Sequence, residues 1–234
     1  MVFGEIIGST WLSLTELILK YGKTDDDEGR KRLCLQNIRI KSLTQKYPDP
    51  LLDKYGNKNN IDEIIALTFN KEIMHDFDVV PSFSDGSQSY FARIKGWDMI
   101  NFVVKRLSEI PESKKAIMSF IREEDYKRTL DRPRDDYLPC ITTIQFRLVK
   151  HENGWSMNTL FNARSIDVFQ KAGGNFVAIV MLSEIISKEI SENLGIPIWL
   201  GGMEGIISDA HIYQESIEEA KKIIKSYKQL EINQ

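Results

Sequence analysis

The sequence predicts an α+β fold in one domain spanning residues 1–234. Two observations support the fold class: several segments carry apolar residues at helical spacing, and others alternate apolar with polar residues as strands do. A third observation supports the single domain, because glycine and proline are dispersed and neither a repeat nor a low-complexity tract marks a boundary. Helices interleaved with strands that can pair antiparallel therefore indicate one α+β unit.

Five segments are predicted to be helical from the spacing of their apolar residues: 10–21, 61–69, 97–110, 176–194 and 217–227. The segment 176–194 is apolar on nearly all sides in its first two turns, which predicts a buried central helix. Gly195 and Pro197 follow it, as is usual after a helix C-terminus. The segment 217–227 is predicted to be a surface helix.

Five further segments are predicted to be strands: 33–40, 116–121, 141–149, 155–161 and 206–213. The turn-like residues Glu152-Asn153-Gly154 indicate that the third and fourth of these form a hairpin. Three other segments lack such a pattern. The charged residues 25–32 are predicted to form a loop, residues 47–60 are polar and turn-rich, and residues 70–88 show no clear period.

The composition excludes several classes of protein. Lys and Arg together number 31 and Asp and Glu 34, so the formal net charge of −3 gives no global field to attract nucleic acid or anionic lipid. No apolar run reaches the ~18 residues of a membrane span, and the N-terminus lacks the basic and apolar regions of a signal peptide. The three histidines are scattered, so no metal site is expected. These observations predict a cytoplasmic protein that binds neither nucleic acid nor membrane.

The two cysteines, Cys34 and Cys140, cannot form a disulfide framework or a structural zinc site without other ligands. Cys34 lies on an alternating strand pattern with no motif around it, and it is predicted to be a buried packing residue. Cys140 opens a region, residues 139–213, in which thiol, guanidinium, hydroxyl, amide, imidazole and phenol groups are concentrated. Such groups suit a phosphorylated heterocycle, although periodicity alone does not show that they converge.

Four motifs follow one another in this region: Pro139-Cys140 with Gln145-Phe146, Arg164-Ser165-Ile166-Asp167, Asn175 eight residues after that aspartate, and Asp209-Ala210-His211-Ile212-Tyr213. In this order and spacing they resemble the thymidylate synthase superfamily, which includes the pyrimidine-nucleotide hydroxymethylases. Weaker matches lie upstream, at residues 96–99 and 111–115. The resemblance implies a thymidylate synthase-like fold, a large mixed β-sheet packed with helices, and a homodimer formed through one sheet face.

The resemblance implies that Cys140 is the nucleophile. Its thiolate would add to C6 of a pyrimidine, so that C5 becomes an enolate-like carbon able to attack a one-carbon unit. This chemistry needs a soft thiolate, which a neighbouring guanidinium favours. The alternative is a buried small apolar residue, which is the usual state of a free cysteine.

The resemblance assigns Arg164 and Ser165 to the substrate phosphate, where a guanidinium fork and a hydroxyl suit a phosphate monoester. Asn175 would bind the base, because its amide offers a donor and an acceptor that match O4 and N3–H of uracil. Relatives that act on cytosine carry Asp there, so Asn favours uracil. The alternatives are a solvated strand end for the Arg-Ser pair and a helix N-cap for Asn175.

The resemblance assigns His211 and Tyr213 to a sugar hydroxyl, and the two residues share one strand face because they are two positions apart. Gln145 would help order the pocket near the base. Asp167 would contact the pterin of 5,10-methylenetetrahydrofolate, the co-substrate. A hydrogen-bonded structural histidine and a buried glutamine bonded to backbone are the alternatives for His211 and Gln145.

For four further residues, the match to the family's site residues is less direct. Lys114 and Lys115 stand where the family has two arginines that reach the partner subunit's phosphate site, and lysine keeps the charge but not the fork geometry. Arg30, or Arg32 beside it, could replace the family's N-terminal phosphate arginine, since Asp27 stands at the aligned position. Glu63 would manage protons and water. Solvated surface side chains are the alternatives for Glu63 and the lysine pair.

The sequence departs from the family at several positions: Ile141 replaces His, Ala163 replaces Gln, Lys171 replaces Gly, and Gly173-Gly174 replaces Pro-Phe. Three functions remain open. The first is one-carbon transfer to C5 of a uracil nucleotide, in its simplest form thymidylate synthesis from deoxyuridylate. The second is 5-hydroxymethylation of a uracil or cytosine nucleotide. The third is a catalytically inactive, nucleotide-binding paralogue that acts as a sensor or partner subunit.

Overall fold

The computed structural model describes residues 1–74, 87–131 and 138–232, without the side chains of 230–232. Most of the segment without clear periodicity, and His75 within it, lies outside the described residues. One mixed sheet has the strand order β1-β3-β8-β6-β5-β4, with β2 paired to β3 and β7 to β8. The strands are β1 (Val2–Gly4), β2 (Lys23–Asp27), β3 (Arg30–Ser42), β4 (Ile117–Ser119), β5 (Ile141–His151), β6 (Gly154–Ala163), β7 (Ile166–Asp167) and β8 (Ile198–Tyr213).

Helices pack against this sheet, which confirms the predicted α+β class. They are α1 (Ile7–Tyr21), α2 (Pro50–Tyr55), α3 (Lys58–Phe69), α4 (Tyr90–Gly96), α5 (Met99–Glu109), α6 (Glu123–Asp131), α7 (Gly173–Leu194) and α8 (Ile217–Ile232). A π-helical turn, Val168–Ala172, leads into α7, and a 3₁₀ turn, Gln214–Ser216, leads into α8. None of the described helices is long and apolar enough to cross a membrane.

The helix α7 is the centre of the core, as its all-round apolar pattern predicts. Phe176, Val177 and Val180 in its first turns are fully buried, and Phe176 packs against Phe161 of β6 with ring centroids 5.8 Å apart. Burial of this kind supplies the main driving force for folding. The helix ends at Gly195, whose left-handed backbone is the conformation that glycine adopts most readily.

The strand pairing brings several strand termini to one end of the sheet. Strands β5 and β6 are antiparallel, so the start of β5 lies beside the end of β6. Strand β8 runs parallel to β6 and antiparallel to β3, so its last residues lie beside the start of β3. Residues 140, 164, 211, 213 and 30 are therefore gathered at this end, which we call the site end of the sheet.

Two predictions about irregular segments are wrong. Residues 25–32 are not a loop, because Lys23–Asp27 and the start of β3 form a hairpin that turns at Glu28 and Gly29, both with positive φ. The stretch 47–60 contains α2 and the start of α3. Asp49 caps the first of these helices by accepting from the backbone N–H of Leu51 and Leu52. Both segments are rich in charged or turn-forming residues and lack the apolar pattern that predicts a strand or a helix. Strand pairing stabilises the first segment, and helix capping stabilises the second.

Strand β8 begins eight residues earlier than predicted, at Ile198. Gly201 and Gly202 interrupt the apolar alternation there, so periodicity alone gives no strand. The structure explains Gly201 by the close approach of β6, since a Cβ at this position would lie 2.0 Å from Oδ1 of Asn158.

Candidate active site

The predicted nucleophile and the predicted phosphate arginine lie side by side at the site end of the sheet. Cys140 directly precedes β5 and Arg164 directly follows β6, and the backbone N–H of Arg164 donates to the carbonyl of Cys140 at 2.9 Å. Cys140 is partly accessible, and Arg164 is exposed. The sheet register thus joins two residues that are 24 positions apart in the sequence.

The side chain of Arg164 holds the chain just before Cys140. Its Nε donates to the carbonyl of Pro139 at 3.2 Å and its Nη2 to that of Leu138 at 2.6 Å. These contacts orient the guanidinium toward the segment that presents the thiol.

Tyr90 is a site residue that the sequence analysis missed. Its buried hydroxyl accepts the backbone N–H of Ile141, the residue after Cys140, at 2.8 Å. Its ring packs edge-on against Phe120, with centroids 5.0 Å apart. Helix α4 is thereby bonded to the first residue of β5, next to the thiol. Nothing in the spacing around Tyr90 indicates this role, because the partner is a backbone group 51 residues away.

His211 is buried and held by its own strand. Its Nδ1 lies 2.7 Å from Oδ1 of Asp209 and 3.4 Å from the hydroxyl of Ser165. Burial acts to raise the pKa of Asp209, but hydrogen bonds and charge from His211 and Arg32 outweigh it and lower this pKa below its ordinary value. The structure therefore brings Ser165, assigned to the phosphate, close to His211, assigned to the sugar, and adds Asp209 as an ionised partner.

Tyr213 is buried beside the β2–β3 hairpin. Its hydroxyl donates to Oδ2 of Asp27 at 2.6 Å, and the guanidinium carbon of Arg30 lies 3.5 Å from the centre of its ring. Burial, followed by the hydrogen bond to Asp27, raises the pKa of Tyr213 far above its ordinary value, so the phenol keeps its proton. The structure thus places Arg30 at the predicted sugar-binding tyrosine.

Arg30 and Arg32 differ in how far the protein already pairs them. Arg32 donates to both carboxylate oxygens of Asp209, at 2.8 and 3.1 Å, and to Asp25 at 3.1 Å. Arg30 lies over the ring of Tyr213 and 4.0 Å from Glu215, and its Nε and Nη1 are buried without a hydrogen-bond partner among the described residues. Nε of Arg32 is likewise buried without a partner in the described part of the chain, so Arg30 offers two such nitrogens to an anion and Arg32 one.

Asn175 lies in the first turn of α7, two residues after the helix begins at Gly173. It is not the N-cap, because Ala172 holds that position. The side chain of Asn175 is only 6% exposed, and its amide has no hydrogen-bond partner among the described residues. An amide with no partner in the described part of the chain is a candidate for binding a ligand.

Asp167, the predicted pterin contact, is buried at the end of β7 and pairs in register with His211 of β8. Its Oδ1 accepts the backbone N–H of Gln170 at 3.2 Å, which caps the π-helical turn. Such turns occur mostly at functional sites. The strand pairing thus places the predicted folate contact next to a predicted nucleotide contact.

Glu63 lies on α3, which packs against the first turn of α7. A Cβ on Gly174 would lie 2.6 Å from Cδ1 of Ile64, so this close approach requires glycine at the position where the family has Phe. Both carboxylate oxygens of Glu63 contact Nζ of Lys71, at 2.7 and 2.8 Å. The structure brings α3 to the site but pairs this carboxylate with a lysine.

The structure does not bring Lys114 and Lys115 to Arg164 of the same chain. Both lysines are exposed just before β4, and Gln145 donates through Nε2 to the carbonyl of Lys114 at 2.8 Å. Gln145 is five residues along β5 from Cys140, roughly 16 Å at the rise of a strand. Within one chain, Gln145 therefore binds backbone near the lysine pair.

Cys34 is buried on β3 directly across from His211 of β8, which confirms the predicted packing position. Burial, followed by the Asp209 carboxylate, raises the pKa of this thiol. Among the described residues, no group of three or more His, Cys, Asp or Glu side chains is arranged to hold a metal ion.

The site end of the sheet thus carries a thiol, a guanidinium and a hydroxyl beside an imidazole and a phenol, the groups that a site for a phosphorylated heterocycle would use. The sequence model of the family described as thymidylate synthase matches residues 44–233. The chain therefore belongs to the thymidylate synthase family.

Similar proteins with curated names are distant. The thymidylate synthase of Streptococcus pyogenes serotype M5 is 22% identical over 191 residues, and that of Streptococcus gordonii is 24% identical over 191 residues. Each match covers 82% of this chain. The chain spans 63% of the length of these relatives.

Proposed function

We propose that this protein transfers a one-carbon unit from 5,10-methylenetetrahydrofolate to C5 of a uracil nucleoside monophosphate, with Cys140 as the nucleophile. The observation that carries this proposal is the backbone hydrogen bond of 2.9 Å between Cys140 and Arg164, which joins the residue that carries the thiol to the residue that carries the guanidinium at the site end of the sheet. The family match and the names of the relatives support the reaction class.

The Cys140 thiolate would form a bond to C6 of the base, and the electron pair of the C5–C6 bond would move to C5 and the O4 carbonyl. The C5 carbanion equivalent then attacks the one-carbon unit, after which C5 loses its proton and the C6–sulfur bond breaks. The folate supplies the methylene carbon, and in methyl transfer it also supplies the hydride and leaves as dihydrofolate. Asp167, a buried carboxylate at the end of β7, fits the N–H groups of a pterin.

Asn175 is proposed to bind the base. Asn175 is 6% exposed in the first turn of α7, and its amide has no hydrogen-bond partner among the described residues. The amide oxygen would accept N3–H and the amide nitrogen would donate to O4, which is the uracil pattern. Glu63 would exchange protons and order water there, and the resemblance assigns Gln145 to the same pocket, whereas within one chain its Nε2 donates to the carbonyl of Lys114. The last two assignments rest on the resemblance.

The phosphate is proposed to bind Arg164, Ser165 and Arg30. Arg30 contributes because its buried Nε and Nη1 have no hydrogen-bond partner among the described residues, whereas Arg32 has one such nitrogen, Nε, and donates its other two to carboxylates. Guanidinium groups recognise phosphate oxygens through paired hydrogen bonds. Lys114 and Lys115 would complete this site from the partner subunit of a homodimer.

The proposed dimer uses the sheet face opposite the helices. Val149 on this face is 40% exposed, Leu160 and Ile206 are half-buried, and Nε of Arg147 is buried without a hydrogen-bond partner. A second copy of the chain would cover the apolar groups. Sedimentation equilibrium tests this directly, since a monomer at micromolar concentration would remove the partner's lysines from the phosphate site.

A second candidate is 5-hydroxymethylation, in which water rather than hydride captures the exocyclic methylene. It is favoured by Ala163, which is buried between Ile141 and Ile207 in the sheet and carries only a methyl group where the family has a glutamine amide. The smaller side chain leaves room beside the base. The third candidate is a catalytically inactive paralogue that binds the nucleotide. This candidate predicts that neither a methylated nor a hydroxymethylated nucleotide forms.

Mass spectrometry of the nucleotide product separates the three candidates. The protein is incubated with methylenetetrahydrofolate and either deoxyuridylate or uridylate, with Cys140→Ser as the control variant. A methylated nucleotide with dihydrofolate supports the first candidate, and a hydroxymethylated nucleotide without dihydrofolate supports the second. If neither nucleotide is modified by the unaltered protein, the proposed enzyme activity is wrong.

A further inference from the structure

The sugar end of the proposed site contains carboxylates that the family match does not cover. Asp25 and Asp27 lie on β2, outside the matched residues 44–233. Asp27 stands where the resemblance places a phosphate arginine, and it accepts the hydroxyl of Tyr213 at 2.6 Å. A carboxylate in place of a guanidinium changes which hydrogen bonds the tyrosine can make.

Tyr213 is left as a hydrogen-bond acceptor. An ionised carboxylate can only accept, so the single phenolic proton must lie on the hydrogen bond to Asp27. The phenolic oxygen keeps its lone pairs for a ligand. A sugar hydroxyl that meets Tyr213 must therefore donate its own proton.

His211 is also left as a hydrogen-bond acceptor toward a ligand, because a carboxylate binds its proton. The shortest contact of its Nδ1 is the 2.7 Å contact with Asp209, and Nη1 of Arg32 lies 3.3 Å from the same nitrogen. Because a carboxylate only accepts, the shorter contact assigns the proton to Nδ1. Arg32 fixes Asp209 through two hydrogen bonds of 2.8 and 3.1 Å, which keeps this carboxylate in place. In the neutral imidazole, Nε2 is then an acceptor.

A sugar that forms hydrogen bonds with both acceptors, the phenolic oxygen of Tyr213 and Nε2 of His211, must supply two donor groups. The 3′-hydroxyl of 2′-deoxyribose has one proton to give, whereas the vicinal 2′- and 3′-hydroxyls of ribose have two. We infer that the sugar subsite of this protein is set for a ribonucleoside monophosphate, with Asp27 and Asp209 as positioning residues that act through Tyr213 and His211. The inference rests on the proposed function, which places the sugar at these two residues.

The test is equilibrium binding, by calorimetry, of uridylate, deoxyuridylate and 2′-fluoro-2′-deoxyuridylate. The fluoro compound has a substituent at C2′ that cannot donate a hydrogen bond, so it separates hydrogen bonding from the fit of the sugar. One added hydrogen bond is worth about tenfold in Kd. We expect uridylate to bind about tenfold more tightly than either of the other two nucleotides.

Asp27→Asn frees the tyrosine hydroxyl, because the amide can donate to Tyr213, and we expect the preference for uridylate to fall to about twofold or less. The matched control is Glu28→Gln, which removes the same charge from an exposed position of the same hairpin and should leave the preference unchanged. Tyr213→Phe, which removes one acceptor, should also lower the preference. If Asp27→Asn does not fold, the preference of Tyr213→Phe for uridylate provides the test instead.

Three results would overturn the inference: deoxyuridylate binding at least as tightly as uridylate, the fluoro compound matching uridylate, or a preference that Asp27→Asn and Tyr213→Phe both leave intact. If none of the three nucleotides binds, the proposed function itself is wrong, and the inference falls with it. The two failures are thereby distinguishable.

Discussion

The hydroxyl of Tyr90 accepts the backbone N–H of Ile141 at 2.8 Å, which ties helix α4 to the strand that begins directly after Cys140. The N–H of Ile141 is buried and therefore needs a hydrogen-bond partner within the protein. The hydroxyl of Tyr90 is that partner, in place of a carbonyl from a neighbouring strand. The position of the thiol therefore depends on a side chain 50 residues earlier in the sequence.

Tyr90→Phe tests this dependence. The variant leaves the N–H of Ile141 buried and unpaired, which should cost about 1–3 kcal/mol in the free energy of unfolding and lower the rate of nucleotide modification. Urea denaturation and initial rates measure the two effects. Tyr126→Phe, at an exposed tyrosine, is the control and should change neither.

A buried ion pair joins α4 to α6 and makes stability depend on pH. Arg93 and Asp125 are 1% and 4% exposed at their side chains and form two hydrogen bonds of 2.6 and 2.7 Å. Burial acts to raise the pKa of Asp125, but the hydrogen bonds from Arg93 and from the backbone of Arg122 lower it overall. The carboxylate is therefore more acidic in the folded protein than in the unfolded chain.

Because the folded-state pKa is the lower one, this contribution to stability is fully present above the unfolded value of about 4 and is lost as the pH falls through the folded value. Asp125→Asn should lower the free energy of unfolding by about 3–5 kcal/mol at neutral pH. The difference from the unaltered protein should shrink below about pH 4. Denaturation curves at several pH values measure it, and a difference independent of pH would contradict this account.

Asn175→Asp tests how the base is bound. An aspartate can accept from the N4 amino group of cytosine but cannot donate to O4 of uracil, so the ratio of uridylate to cytidylate affinity should fall about tenfold or more. Binding calorimetry with both nucleotides measures the ratio. An unchanged ratio with retained binding would show that Asn175 does not contact the base.

Gly174→Ala tests the close packing of α3 on α7. The added Cβ would lie 2.6 Å from Cδ1 and 3.0 Å from Cβ of Ile64, and 3.2 Å from Cα of Ile61. We expect a loss of about 1–3 kcal/mol in the free energy of unfolding, despite the higher helix propensity of alanine. Thermal unfolding measures it, and a stabilised variant would be inconsistent with the packing described above.

Most of the fold could be predicted because apolar periodicity reports burial. The central helix at residues 176–194 and the strands at 141–149 and 155–161 are nearly as predicted. The hairpin β2–β3 could not be predicted, since it is built from charged residues that are stabilised by cross-strand partners rather than by a core. The strands pair Asp25 with Arg32 and Asp27 with Arg30, and an analysis of apolar periodicity does not detect such pairs.

The candidate site was predictable only in part, for a related reason. Order and spacing of motifs identify Cys140, Arg164 and His211, which strand register then brings to one end of the sheet. Tyr90 and Asp27 escape such an analysis because each acts through a single hydrogen bond to a distant group. Residues of this kind become apparent only when the partner is known.

The most direct test of the central claim is release of tritium from C5-labelled uridylate and deoxyuridylate in the presence of methylenetetrahydrofolate. Attack by Cys140 at C6 is the step that allows C5 to lose its hydrogen, so the unaltered protein should release tritium and Cys140→Ser should release it at least about 10³-fold more slowly. Cys34→Ser is the matched control and should retain release. Absence of release from both nucleotides with the unaltered protein, or full release by Cys140→Ser, would contradict the account.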